Sequence, residues 1–120
     1  MEGSFMVTIG DSLFSIAAKR MDWAAGRQKV IAENVANSDT PGYVGKDVVS
    51  FEDHLSRSGI DRVSPESEEA SNAWGGSFDG NRVVLEEQMV MSREAASSYR
   101  LAASLYSKGH DLIALAVSDR

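Results

Sequence analysis

The sequence predicts a mostly α fold, with long N- and C-terminal helices forming a coiled-coil-like bundle joined by a short irregular segment with one extended candidate. Three observations predict it. Apolar residues recur in alternating steps of three and four over two long stretches, the period of one helix face. The residues between those stretches are acidic and rich in Ser and Gly. The 120-residue chain is 42% hydrophobic, but much of that is Ala and Val, with only four Phe, three Tyr and two Trp. Apolar residues strung along long helices need a partner to cover them.

Residues 1–10 read as a flexible N-terminus. Within them, Met1 to Phe5 precede a second candidate start at Met6, so two starts stand open. The N-terminal axial helix is expected over 11–37, with Asp11 as the N-cap accepting from free backbone amides. Ala17, Met21, Ala24, Gln28, Ile31 and Val35 form one row, and Leu13, Ile16, Trp23 and Val30 form another beside it. At about 1.5 Å per residue this helix spans roughly 40 Å. Its stop is written in Asn37-Ser38-Asp39-Thr40-Pro41-Gly42. Pro41 restricts Thr40 to extended geometry and Gly42 tolerates a turn.

Residues 38–80 form an acidic connecting segment, with nine acids against three bases. An extended stretch is expected at 44–51, with Val48, Val49 and Phe51 docking on the helices. Residues 56–73 read as a mobile loop. Trp74 and Phe78, set among glycines, read as satellite core.

The C-terminal axial helix is expected over 81–120, capped by Asn81 or Asp79, running to about Val117 and longer than the first at roughly 50 Å. One row holds Leu85, Met89, Ser92, Ala96, Tyr99, Ala103, Tyr106, His110, Ile113 and Val117. A second, one position earlier, holds Gln88, Met91, Ala95, Ser98, Ala102, Leu105, Gly109, Leu112 and Ala116. Two adjacent rows make a face broad enough for more than one neighbour. The helices can pair as an antiparallel hairpin, and the second row is then expected to look outward, ready for assembly. Gly109 weakens the helix by about 1 kcal/mol relative to Ala, making it a candidate bend. The residues expected at assembly contacts are Met21, Ile31, Val35, Leu85, Met89, Tyr99, Leu105, Tyr106 and Ile113.

Several function classes are disfavoured. The formal net charge is -6, and an acidic middle between near-neutral flanks lacks the clustered Lys and Arg of a nucleic-acid footprint. With no Cys, thiolate chemistry, disulfides and Cys-based zinc sites are excluded. No run approaches the 18 apolar residues of a membrane span. The N-terminus also lacks the pattern of a cleavable secretory signal. His54, beside Glu52 and Asp53, reads as a surface residue, and His110 as an interface or partly buried one. Glu86, Glu87 and Glu94 lack a converging base or electrophile, and no phosphate loop or nucleophile elbow occurs. The reading is therefore non-enzymatic, with no cofactor and no metal.

The stretch Glu33-Asn34-Val35-Ala36-Asn37-Ser38-Asp39-Thr40-Pro41-Gly42-Tyr43 closely resembles the N-terminal signature of the flagellar rod and hook axial protein family. Lys46-Asp47 and Phe51 continue the likeness, as do Gly80 to Met89, Tyr99-Arg100-Leu101, Leu105, Tyr106 and His110. The resemblance covers 11–117 and implies a structural subunit of the proximal flagellar rod, polymerising with itself and other rod proteins into a torque-transmitting shaft. A neighbouring rod member of the same family and a cytoplasmic coiled-coil adaptor or secretion chaperone are the alternatives. The implied partners are the inner-membrane MS ring, its rod adaptor FliE and the flagellar type III export apparatus, through which the chain would reach the periplasm without signal cleavage. Within the signature, Asn34 and Asn37 are expected to bond backbone groups freed at the helix end. Thr40, Pro41 and Gly42 set the chain's exit. Tyr43 covers the helix end with its ring while satisfying its hydroxyl. Gly45 and Val49-Ser50 depart from the family pattern.

Overall fold

The computed structural model describes residues 2–59, 61–70 and 83–118. Its elements are helix α1 (Glu2–Ala36), strand β1 (Lys46–Val48), helix α2 (Phe51–Ser58), strand β2 (Ser67–Glu69) and helix α3 (Leu85–Ser118). The expected pair of long helices is present, and they pack on each other to give a molecule 64 Å long and 24 × 20 Å across. The N-terminal boundary differs from expectation. α1 continues through Asp11 to Glu2, so its 35 residues match the 34 of α3 in length. Asp11 is not a cap because Gly3 and Gly10 lie against α3, and that contact carries the helix past it.

The pairing is antiparallel: Gly3 lies against Ala116, Gly10 against Gly109, Arg20 reaches Ser98, and Asn34 reaches Gln88. Its seam runs in sevens. Gly10, Ala17, Ala24 and Ile31 on α1 are buried against Ala95, Ala102, Gly109 and Ala116 on α3. Side chains this small let the backbones approach closely, a heptad seam built on proximity instead of bulk. A Cβ on Gly109 would sit 3.0 Å from the Gly10 carbonyl oxygen and 3.1 Å from the Phe14 nitrogen. Gly109 thus marks a close approach of the two helices.

This seam corrects the expected orientation of α3. Gln88, Met91, Ala95, Ala102, Gly109 and Ala116, all from the second row, turn inward, while Leu85, Met89 and Tyr99 of the first stay exposed. The small row wins the interior because close packing of two backbones recovers dispersion along the whole length.

The middle segment folds onto the upper half of the hairpin. β1 pairs antiparallel with β2, Asp47 opposite Glu68. Val48 packs with Trp23, Ala24 and Val30, and Phe51 joins that cluster, as expected of the extended stretch. The Trp23 indole N–H donates to the Val49 carbonyl at 2.8 Å. The expected loop over 56–73 is replaced at its start by the end of α2 and later by β2. α2 is locally encoded: the Ser50 hydroxyl accepts from the Asp53 amide at 3.1 Å, Glu52 and Asp53 occupy the first turn, and Gly59 closes the helix at a φ of 58°. The Val49-Ser50 departure is therefore a helix cap. Residues 61–66 form a strap across α1, where Arg62 makes a bidentate pair with Asp22 and the Lys19 ammonium bonds the Gly59 carbonyl. Any side chain at Gly26 would collide with the Pro65 ring. Trp74, Phe78, Asp79 and Asn81 lie outside the described residues.

Candidate assembly surface and its helix-stop hub

The chain leaves α1 through a tight turn. The Tyr43 amide donates to the Thr40 carbonyl at 3.1 Å, with Pro41 and Gly42 between and a φ of 77° at Gly42. Pro followed by a positive-φ Gly is the type II pattern, which any Cβ at Gly42 would strain. Asn37 donates to the Glu33 carbonyl twice, from its backbone amide at 3.0 Å and its side-chain amide at 2.9 Å, and its Oδ1 accepts from the Thr40 hydroxyl at 3.2 Å.

Asn34 goes further than a helix stop. It is completely buried, and all its hydrogen-bonding capacity is used. Its amide nitrogen donates to the Lys46 carbonyl (2.7 Å) and to Gln88 Oε1 (3.0 Å). Its Oδ1 accepts from the Tyr43 hydroxyl and from the Lys46 amide, both at 3.0 Å. One side chain thus fixes the turn, β1 and α3 relative to α1. Burial, and then the Glu33 carboxylate, raise the Tyr43 phenol pKa above its ordinary value. Gln88 completes the hub, a role not singled out from sequence; its position one turn before Met91 and Ala95 on the buried row is the available signal.

Charge braces the same end. Arg27, only 15% exposed, holds Asp47 of β1 bidentately at 3.2 and 3.3 Å and Glu94 of α3 at 3.3 Å. Arg20 stacks on Trp23 and Phe51, 4.3 and 4.7 Å from the ring centres. Burial, with Arg27 nearby, lowers its pKa. Glu68, Glu69 and Glu87 join Asp47 and Glu94 around Arg27 in a groove of about 390 Å³. Burial, then Asp47, raises the Glu87 carboxyl above its ordinary range. Among the described residues no group of three acids or histidines is placed to hold a metal.

The apolar surface lies on either side of the seam. Positions just before the α3 seam residues, such as Glu94 and Leu101, form one flank, and those just after, such as Met89, Ala96 and Ala103, form the other. Leu101 (64% exposed) and Leu105 (40%) with Leu13, Ile16 and Phe51 line a groove of about 410 Å³. Leu85, Met89 and Tyr99 are exposed on the opposite flank. At the far tip Phe5, Ile9, Leu115 and Val117 are exposed as well.

Of the residues expected at assembly contacts, Leu85, Met89, Tyr99, Leu105 and Val35 are exposed. Met21, Tyr106 and Ile113 are half-buried: Tyr106 stacks on Phe14 with ring centres 3.8 Å apart, and Ile113 covers Gly10. Ile31 is a correction. It packs with Met91 and Ala95 inside the hairpin and has no free face, because its row is the seam. His54 is also corrected: it is 3% exposed beneath the strap, while His110 is exposed, which sets aside only the partly buried alternative for it.

Residues 14–43, from mid-α1 through the turn, match the family profile described as flagella basal body rod protein. The flagellar basal body rod protein FlgB of Agrobacterium fabrum is 30% identical over 123 aligned positions, spanning 88% of this chain and 92% of the relative. The chain belongs to the flagellar basal body rod protein family. The profile ends on Tyr43 and so contains Asn34 and Tyr43 of the hub together with the type II turn, while Lys46 and Gln88 lie beyond it. Membership makes the chain a structural subunit of the flagellar rod that associates with other rod components in the basal body. It also favours the rod over an adaptor or chaperone.

Proposed function

We propose that the chain is a subunit of the proximal rod, above the inner-membrane ring, and that its work is mechanical, with no catalytic step. The observation that carries this reading is the division of apolar surface. The hairpin closes its own seam with small residues and leaves larger ones, Leu85, Met89 and Tyr99 on one flank and Ile16, Leu101 and Leu105 on the other, facing outward. A subunit with different apolar surfaces on its two sides is suited to head-to-tail contacts, which extend into open helical assemblies where the rotation does not close a ring. Val35, Met21, Tyr106 and Ile113 supply secondary contacts, and the helix-stop turn holds the middle segment in register on the tube.

The proposed partners are further copies, other rod proteins, the MS ring and the adaptor FliE. Delivery is through the flagellar type III export apparatus into the periplasmic space, without signal cleavage. Quantitative mass spectrometry of purified hook–basal bodies, with tag localisation by electron microscopy, tests the reading. A few copies at the base of the rod are expected; absence from the particle, with the chain retained in the cytoplasm, overturns it.

A further inference from the structure

The two grooves beside the seam lie end to end on one flank. Glu94 and Leu101 stand one heptad apart on α3, as do Arg27 and Arg20 on α1, so the acidic groove of about 390 Å³ runs into the apolar groove of about 410 Å³. Five carboxylates, those of Asp47, Glu68, Glu69, Glu87 and Glu94, line the acidic groove with a single guanidinium, that of Arg27. The opposite flank presents the reverse charge. There Arg93 stands one turn after Met89, and Arg100 one turn after Ala96, in a row that begins with Glu86. Both arginines are exposed, and among the described residues neither makes an ion pair.

We propose, resting on the rod-subunit reading above, that the acidic groove receives the Arg93–Arg100 row of a second copy lying parallel to the first. Copies related head to tail along one shaft share a direction. Glu87 and Glu94 have the same spacing as Arg93 and Arg100, so an offset of six residues, about 9 Å along α3, sets Arg93 beside Glu87 and Arg100 beside Glu94 together. That offset also brings Ala103 level with Ser97, where the apolar groove begins. An offset repeated at every contact climbs, which makes a helix and not a ring. Burial and Asp47 raise the Glu87 carboxyl, so a cation placed beside it relieves a cost that the separate chain carries. Exposed ion pairs add little adhesion. Their contribution is direction and register, because two acidic flanks repel and a flank cannot pair with its own kind.

The chain has no Cys, so introduced thiols report contacts without background. Two full-length chains with tags of different size, one with Arg93→Cys and one with Glu87→Cys, are co-expressed, and purified basal bodies are treated with a short bifunctional thiol reagent. A mixed crosslinked pair is expected, with no homodimer from either variant expressed alone. Should loss of a charge reduce incorporation, Ala96→Cys with Val90→Cys applies the same offset and leaves every charge in place. Particles that contain both chains without a mixed pair, or that yield homodimers of one variant, give the groove to another rod component or register. Either result overturns the proposal and leaves the rod-subunit reading standing. Absence of the unaltered chain from the particles overturns both.

Discussion

The two ends of the hairpin are built from different materials. Around residues 20–36 and 85–98, the helices are tied by Asn34, Gln88 and Arg27 and covered on one side by β1, α2 and the strap. Around 3–16 and 103–116 they meet through glycine, alanine and a single aromatic stack, with large apolar side chains left outside. The first end specifies a geometry by hydrogen bonds that only one arrangement satisfies. The second supplies a close-packed seam whose unused apolar surface is stabilised on contact with something else. Long helices without a covering partner are marginal in water, so the braced end can hold the register while the other end completes itself during assembly.

The largest expected effect strikes the outward flanks. Tyr99→Glu or Leu105→Asp should abolish incorporation into basal bodies while the chain is still exported and stays as helical as the unaltered protein by circular dichroism. Equal loss of export would mean that these side chains serve folding or recognition instead.

Next in size is the hub. Asn34→Ala leaves the Tyr43 hydroxyl, the Lys46 amide and Gln88 without their buried partner, and a loss of about 3 kcal/mol in urea unfolding is expected. An unchanged midpoint would show that the braced end does not depend on Asn34.

The seam at the other end is probed by Gly109→Ala. Helix propensity favours the change by about 1 kcal/mol, but the new methyl would press on the Gly10 carbonyl and the Phe14 backbone, where little can yield. A net loss of about 1 kcal/mol is expected, seen as faster hydrogen exchange at 3–16 and 103–116 and unchanged exchange around Asn34. Uniform acceleration would erase the distinction between the ends.

The smallest effect is electrostatic. Glu87 has its folded pKa raised above the ordinary glutamate value by burial and then by Asp47, so its charged form is held less favourably folded than unfolded. Charged Glu87 therefore detracts from stability above its folded pKa, and the penalty fades as pH falls toward the unfolded value. Glu87→Gln should raise the melting temperature slightly at pH 7 and have no such benefit at pH 4. A benefit that persists unchanged at pH 4 would point to packing.

Much of the fold was legible because it is local. Asn37 to Gly42 ends α1 within one turn of the expected residue, and Pro41-Gly42 carries its turn type in the residues themselves. Val48, Val49 and Phe51 dock on the helices as expected, although the extended run is shorter than 44–51 and Phe51 docks from the first turn of α2. Other features were harder to read. α2 is signalled by Ser50-Phe51-Glu52-Asp53, but eight residues carry too little periodicity to stand out against a strand expectation. His54 reads as a surface residue because no motif or second histidine at helical spacing accompanies it, whereas a strap from later in the chain buries it.

That two long helices flank an acidic middle, where the first one stops, and which family signature the stop belongs to are all written in the residues themselves. These follow from periodicity and turn chemistry, which act within a few residues. Which α3 row faces inward, that Asn34 bonds across three elements, and that Ile31 is internal while Leu101 is not are settled by long-range packing. Two apolar rows one position apart are equivalent on an isolated helix. They become different only when a second helix arrives with glycine and alanine in the matching register, and the closest approach of the backbones selects the smaller row.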